Sequence, residues 1–91
     1  MPQEKSREKD LRRSLVRRRL NRERKRAMRM AVRAALDAAV RGSEEDLDQA
    51  LRNAQRAIDL ARQKGPLHRR AAARRKSQLM RRIAALRARA G

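Results

Sequence analysis

The chain has 91 residues, 28 of them Lys or Arg against 10 Asp or Glu, for a formal net charge of +18. Cysteine, Phe, Tyr and Trp are all absent, which removes disulfides, thiolate zinc sites, thiol nucleophiles and aromatic platforms for stacked bases. Leu, Ile and Val make up only 15 residues, so apolar burial offsets little ordering entropy and full order is expected to need a polyanionic partner.

The first helix is expected from Ser6, as N-cap, to Arg41, after a disordered tail over 1–5. At about 1.5 Å per residue it is far longer than its neighbours. Its second half carries a stripe of Met28, Val32, Ala35, Leu36 and Ala39 at helical spacing. Its first half has only the thin edge Leu11, Leu15, Val16 and Leu20 among bases at 12, 13, 17, 18, 19, 22, 24, 25 and 26. That half therefore has no packing face and is expected to project. Gly42 is expected to close the helix in the left-handed conformation, and Ser43 to cap the next one.

A second helix is predicted over 44–64, with Glu44, Glu45 and Asp46 complementing the dipole in its first turn and Leu47, Leu51, Ala54, Ile58 and Ala61 as its seam. Gly65-Pro66 ends it. A third helix follows over 67–90, with Ala72, Leu79, Ile83, Leu86 and Ala90 as its apolar face and Met80 beside them. The fold class is thus all-α, a three-helix bundle with a long, projecting N-terminal helix, organised as one helical domain.

Charge is distributed in blocks. Residues 1–33 carry a net +10, residues 34–60 a net −3, and residues 61–91 a net +11 with no acid at all. No fold requires such self-repulsion, and phosphates reverse its sign, because each neutralised phosphate releases counterions. Arg12, Arg13, Arg17 and Arg18 are candidate phosphate contacts on this ground. Without aromatics, recognition rests on phosphates, sugar hydroxyls and shape, which suits folded RNA or duplex DNA.

Other functions find little support. The longest uncharged stretches are four residues, as in Ile83 to Leu86, against the roughly 20 apolar residues of a membrane span. Glu4, Glu8, Asp10 and Glu23 are out of keeping with a mitochondrial presequence, and an intact cytoplasmic protein is expected. His68 has no second His or Cys for a metal site, the serines have no base to activate them, and no Gly-rich phosphate loop exists. No enzyme activity, cofactor, metal, small-molecule substrate, membrane association or obligate homo-oligomer is expected. A bZIP regulator is disfavoured because Gly42 stops the helix where a zipper would begin, and a membrane-surface helix because the apolar edge is thin. A helical, nucleoid-type DNA-binding architectural protein remains the alternative, although wedge residues for the minor groove are not evident.

The run Lys64, Gly65, Pro66, Leu67, His68, Arg69, Arg70, Ala71, Ala72, Ala73, Arg74, Arg75, Lys76, Ser77, Gln78, Leu79 resembles the signature of the bacterial small-subunit ribosomal protein S-twenty family. The run from Asn21 through Arg22, Glu23, Arg24 and Lys25 to Met28, Arg29 and Arg33 is similar to that family's N-terminal block. The likeness implies a three-helix bundle that binds 16S ribosomal RNA, acts in early assembly of the small ribosomal subunit and has no catalytic residues. It also implies RNA contact at Asn21, Arg22, Arg24, Lys25, Arg29, Arg33, Lys64, His68, Arg69, Arg74, Arg75, Lys76 and Ser77. Arg70 stands where the family usually has Asn, and as an Arg it still favours a phosphate.

Overall fold

The computed structural model describes residues 2–90, with side chains for residues 6–89. Three helices, α1 (Pro2–Arg41), α2 (Glu44–Gln63) and α3 (Arg69–Ala90), follow one another through two short turns. α1 packs most extensively on α2 and less on α3, with α2 and α3 touching least. The molecule measures 68 × 22 × 15 Å and has a radius of gyration of 17.8 Å, against about 12 Å for a compact chain of this length. The 40 residues of α1, at about 1.5 Å each, account for that long axis.

Helix starts differ from expectation in two places. In place of a tail over 1–5, α1 already begins at Pro2, where a missing amide hydrogen costs nothing because first-turn amides have no intrahelical partner. Ser6 therefore lies inside the helix and caps nothing, and Met1 lies outside the described residues. α3 begins at Arg69, two residues later than expected, because Leu67 belongs to the turn and His68 to the cap. The Nδ1 of His68 accepts from the Arg70 amide at 3.2 Å, and the His68 carbonyl accepts from the Ala72 amide at 2.9 Å.

The two turns use glycine for different reasons. Gly65 has φ +108°, a backbone that side chains other than hydrogen resist. Pro66 has no amide to close the α2 terminus, so the Leu67 amide reaches back to the Ala61 carbonyl at 3.1 Å. Gly42, by contrast, is not left-handed: no other glycine has positive φ among the described residues. A Cβ there would lie 3.0 Å from the Ala38 carbonyl oxygen and 3.0 Å from the Asp46 Cβ, so close approach, tighter than ordinary contact, is what favours glycine. Ser43 caps α2 as expected, in a full capping box. Its Oγ accepts from the Asp46 amide at 3.2 Å, and Asp46 Oδ2 accepts from the Ser43 amide at 3.3 Å. Gly65→Ala is expected to lower stability by about 1 kcal/mol or more through its φ alone. Thermal melting of the variant checks this, and an unchanged midpoint would contradict it.

The core lies in two clusters along the seam. Near the α1–α2 turn, Ala35, Ala39, Leu47, Ala54, Leu79 and Ile83 are buried together. At the opposite end Met28, Ile58, Ala61, Leu67 and Ala72 do the same, and Val32 touches both groups. Alanines at five of these eleven positions let the helices approach closely with little bulk to interlock. Leu36, Leu51 and Leu86 are half-buried at the margins, whereas Met80 is exposed. The Ala90 side chain lies outside those described. No polar or charged side chain is buried among the described residues, so every described base stays at or near the surface.

Candidate nucleic-acid interface

Met28 is the first buried residue of α1, and every described side chain from Ser6 to Leu20 is exposed. Arg12, Arg13, Arg17 and Arg18 all lie on this free stretch. Arg17 falls almost in line with Met28 on the helix, at about 100° per residue, yet α2 has ended before it reaches that level. The cations here consequently surround the cylinder.

From Arg18 to Arg33 most of the bases of α1 fall on one side. At about 100° per residue, Lys25, Arg18, Arg29, Arg22, Arg33, Arg26 and Arg19 fall in that order within an arc of roughly 120°. All seven are exposed. Arg19, Arg22, Lys25, Arg26 and Arg29 line a shallow concavity of about 480 Å³ together with Glu23. Asn21 and Arg24 sit off this arc, half-buried, with Arg24 Nη1 donating to Asn21 Oδ1 at 3.4 Å.

Two flanking grooves fix which neighbour the arc faces. Leu20, Glu23, Arg24 and Ala27 meet Ala57 and Leu60 of α2 in a notch of about 250 Å³. Val32, on the other side of α1, meets Arg75, Gln78, Leu79, Arg81 and Arg82 of α3 in an open groove of about 510 Å³. The arc starts on the Val32 side, so it runs continuously from the groove with α3 onto the outer surface of α1.

α3 divides its cations between two flanks. Lys76 and Arg87 point toward α2, where Lys76 Nζ lies 2.6 Å from Asp59 Oδ1 and Arg87 Nη2 lies 2.9 Å from Glu44 Oε1. These pairs hold α3 to the acidic helix, each worth about 0–1 kcal/mol at such exposure. Lys76, a predicted RNA contact, thus already has an anionic partner within the chain. Arg75, Arg82 and Arg89 recur every seven residues, about two turns apart, on the flank toward α1. Arg70, Arg74 and Ser77 face outward and are exposed, and Ser77 Oγ accepts from Arg81 Nη2 at 3.0 Å.

Lys64, the C-cap of α2, and His68, the N-cap of α3, meet at the turn beside Arg69 and Arg70. This turn lies at the end of the bundle from which α1 projects. No acid occupies the first turn of α3, so nothing in that turn neutralises the two arginines or the helix dipole. With Nδ1 of His68 engaged by the Arg70 amide, Nε2 is the ring nitrogen left for a partner outside the turn.

Of the predicted contacts, Arg18, Arg22, Lys25, Arg29, Arg33 and Arg75 come together on one α1–α3 face. Arg12, Arg13 and Arg17 extend it along the rod, and Lys64, His68, Arg69 and Arg70 form its corner. Asn21, Arg24 and Lys76 lie aside with internal partners. Sequence reasoning passed over Arg19 and Arg26, which line the concavity on α1, and Gln78, Arg81 and Arg82, which line the groove with α3. The signal was present, since Arg82 repeats Arg75 after two turns and Arg26 and Arg19 share the arc of Arg22, but it emerges only when helical periodicity is applied to the cations. Among the described residues, no group of three or more His, Asp or Glu stands together as a metal cluster, and no helix is long and apolar enough to cross a membrane.

No curated protein matches the chain. A family model does: that of ribosomal protein S20 matches residues 2–84, taking in all of α1 and α2, and α3 as far as Ala84. With a match of that extent, and with the long first helix and both turns inside it, the chain belongs to the ribosomal protein S20 family, whose members are proteins of the small ribosomal subunit.

Proposed function

We propose that this protein is a structural component of the bacterial small ribosomal subunit, acting as one helical unit that binds 16S ribosomal RNA in the cytoplasm and supports assembly of the subunit. The observation that carries this reading is the continuity of the basic arc of α1 with the arginine flank of α3, on the side turned away from the acids of α2. α2 has a net charge of −2 and α3 of +9, so the molecule has one face fit for a polyanion and one that is not. The face offers guanidinium groups, which match phosphate oxygens in bidentate geometry. Its projecting rod of roughly 28 Å, at about 1.5 Å per residue, has no apolar reason to be helical and is suited to lie along phosphates. Binding through shape and backbone needs neither catalytic group nor cofactor.

Footprinting of purified small-subunit RNA with and without the protein tests the proposal. Discrete protected segments are expected. Diffuse protection along the whole RNA, or equally effective competition by duplex DNA, would favour a DNA-architectural protein and overturn this reading.

A further inference from the structure

The groove between α1 and α3 holds one neutral polar side chain among its cations. Gln78 is exposed and lines the groove opposite Val32. None of the side-chain hydrogen bonds among the described residues involves its amide.

Arginine presents donors only, which suits phosphate oxygens and says nothing about the sugar. A ribose 2′-hydroxyl is both donor and acceptor, and it is the group that separates RNA from DNA at a contact. Receiving its hydrogen requires an acceptor on the protein. The neutral acceptors among the predicted contacts are already engaged within the chain: Asn21 Oδ1 by Arg24, His68 Nδ1 by the Arg70 amide and Ser77 Oγ by Arg81. Each therefore has part or all of its acceptor capacity already in use. Gln78 Oε1 is uncommitted, and it stands beside the apolar floor formed by half-buried Val32 and buried Leu79, against which the carbon face of a sugar packs without stranding a polar group.

We propose that Gln78 is the specificity-determining residue by which this protein tells RNA from DNA. Its amide oxygen accepts the hydrogen of one 2′-hydroxyl, on a ribose seated over Val32 and Leu79, while Arg75 and Arg82 hold the adjoining phosphates. The assignment rests on the reading of the α1–α3 face as the RNA site and adds to it a contact that charge alone does not supply.

The test compares the full-length protein with its Gln78→Ala and Gln78→Arg variants. The probes are an RNA duplex and the DNA duplex of the same sequence, titrated at several salt concentrations. Gln78→Ala keeps a good helix former, and it is expected to weaken RNA binding by about 3- to 10-fold while DNA binding and the salt slope stay as they were. Gln78→Arg adds a phosphate donor, so both duplexes should bind more tightly, with a slope steeper by about 1, yet the preference for RNA should fall as it does in Gln78→Ala. A wild-type preference for RNA that survives intact in Gln78→Ala, or equal losses on RNA and DNA, overturns the role of Gln78 and leaves the RNA reading standing. A wild-type protein that binds both duplexes equally overturns both.

Discussion

Raising salt from about 50 to about 200 mM is expected to weaken binding to 16S ribosomal RNA by roughly 10³ to 10⁵, the response of a protein that neutralises about 6 to 10 phosphates. Seven cations in the arc of α1 and three on the inner flank of α3 are enough to supply that number. Burial within the protein damps none of them, because no charged side chain is buried among the described residues. The effect is entropic in origin, since each phosphate neutralised releases condensed counterions whose return becomes easier as bulk salt rises. Equilibrium binding across a salt series measures the slope directly. A nearly flat response would show that the cations do not meet phosphates.

Damage to the core and damage to the basic face should separate cleanly. Ile58 is fully buried, against Met28, Ala61, Leu67 and Ala72, and Ile58→Ala removes three carbons from a cluster in which two of the other four members are alanine. The expected cost is about 2 to 5 kcal/mol, a large part of the stability available to a domain this small. Helicity should fall at every salt concentration, and RNA binding with it. Replacing Arg74, Arg75 and Lys76 together by Ala should leave the fold in place. The two arginines have no partner among the described ion pairs and hydrogen bonds, Lys76 gives up one half-exposed pair with Asp59, and alanine has the best helix propensity. RNA affinity should nevertheless drop, with a salt slope lower by up to about 3, one for each phosphate that is no longer neutralised. Circular dichroism on both variants checks the contrast. A triple variant that melts beside an Ile58→Ala protein that stays folded would place the structural core among the cations.

Local signals carried much of the architecture. The apolar steps from Leu47 to Ala61, the Ser43 cap and the Gly65-Pro66 break act within one or two turns of chain, so three helices and both turns are legible without any knowledge of how the helices pack. Features that depend on helix-to-helix register are not. Asp59 and Lys76 lie seventeen residues apart in the chain, and Glu44 and Arg87 forty-three. Each pair meets only because α3 returns along α2 at a particular height. Leu67 escaped notice as a core residue because periodicity describes helices, and this leucine is buried from within a turn. Gly42 was legible as a helix end but for the wrong reason, since crowding by Ala38 and Asp46 is invisible without coordinates. For the candidate site, block charge pointed to the right segments. It did not show that Lys76 is already paired, that His68 caps α3, or that Arg19, Arg26, Arg81 and Arg82 share grooves with the cations singled out.

On the proposed function, one face of the bundle, formed by α1 and α3, meets the RNA while α2 does not. Two triple substitutions remove equal charge from opposite sides and test it directly. Arg22, Arg29 and Arg33 lie on the α1 arc, and Arg52, Arg56 and Arg62 are the exposed bases of α2; all are replaced by Ala, which favours helix in either place. Binding to 16S ribosomal RNA is then measured for each variant across a salt series. The α1 variant is expected to lose affinity and about three units of salt slope, whereas the α2 variant should keep its slope and lose only a small, long-range electrostatic contribution that salt screens. Equal losses in the two variants would contradict the account, because they would show that the RNA responds to net charge and not to a face.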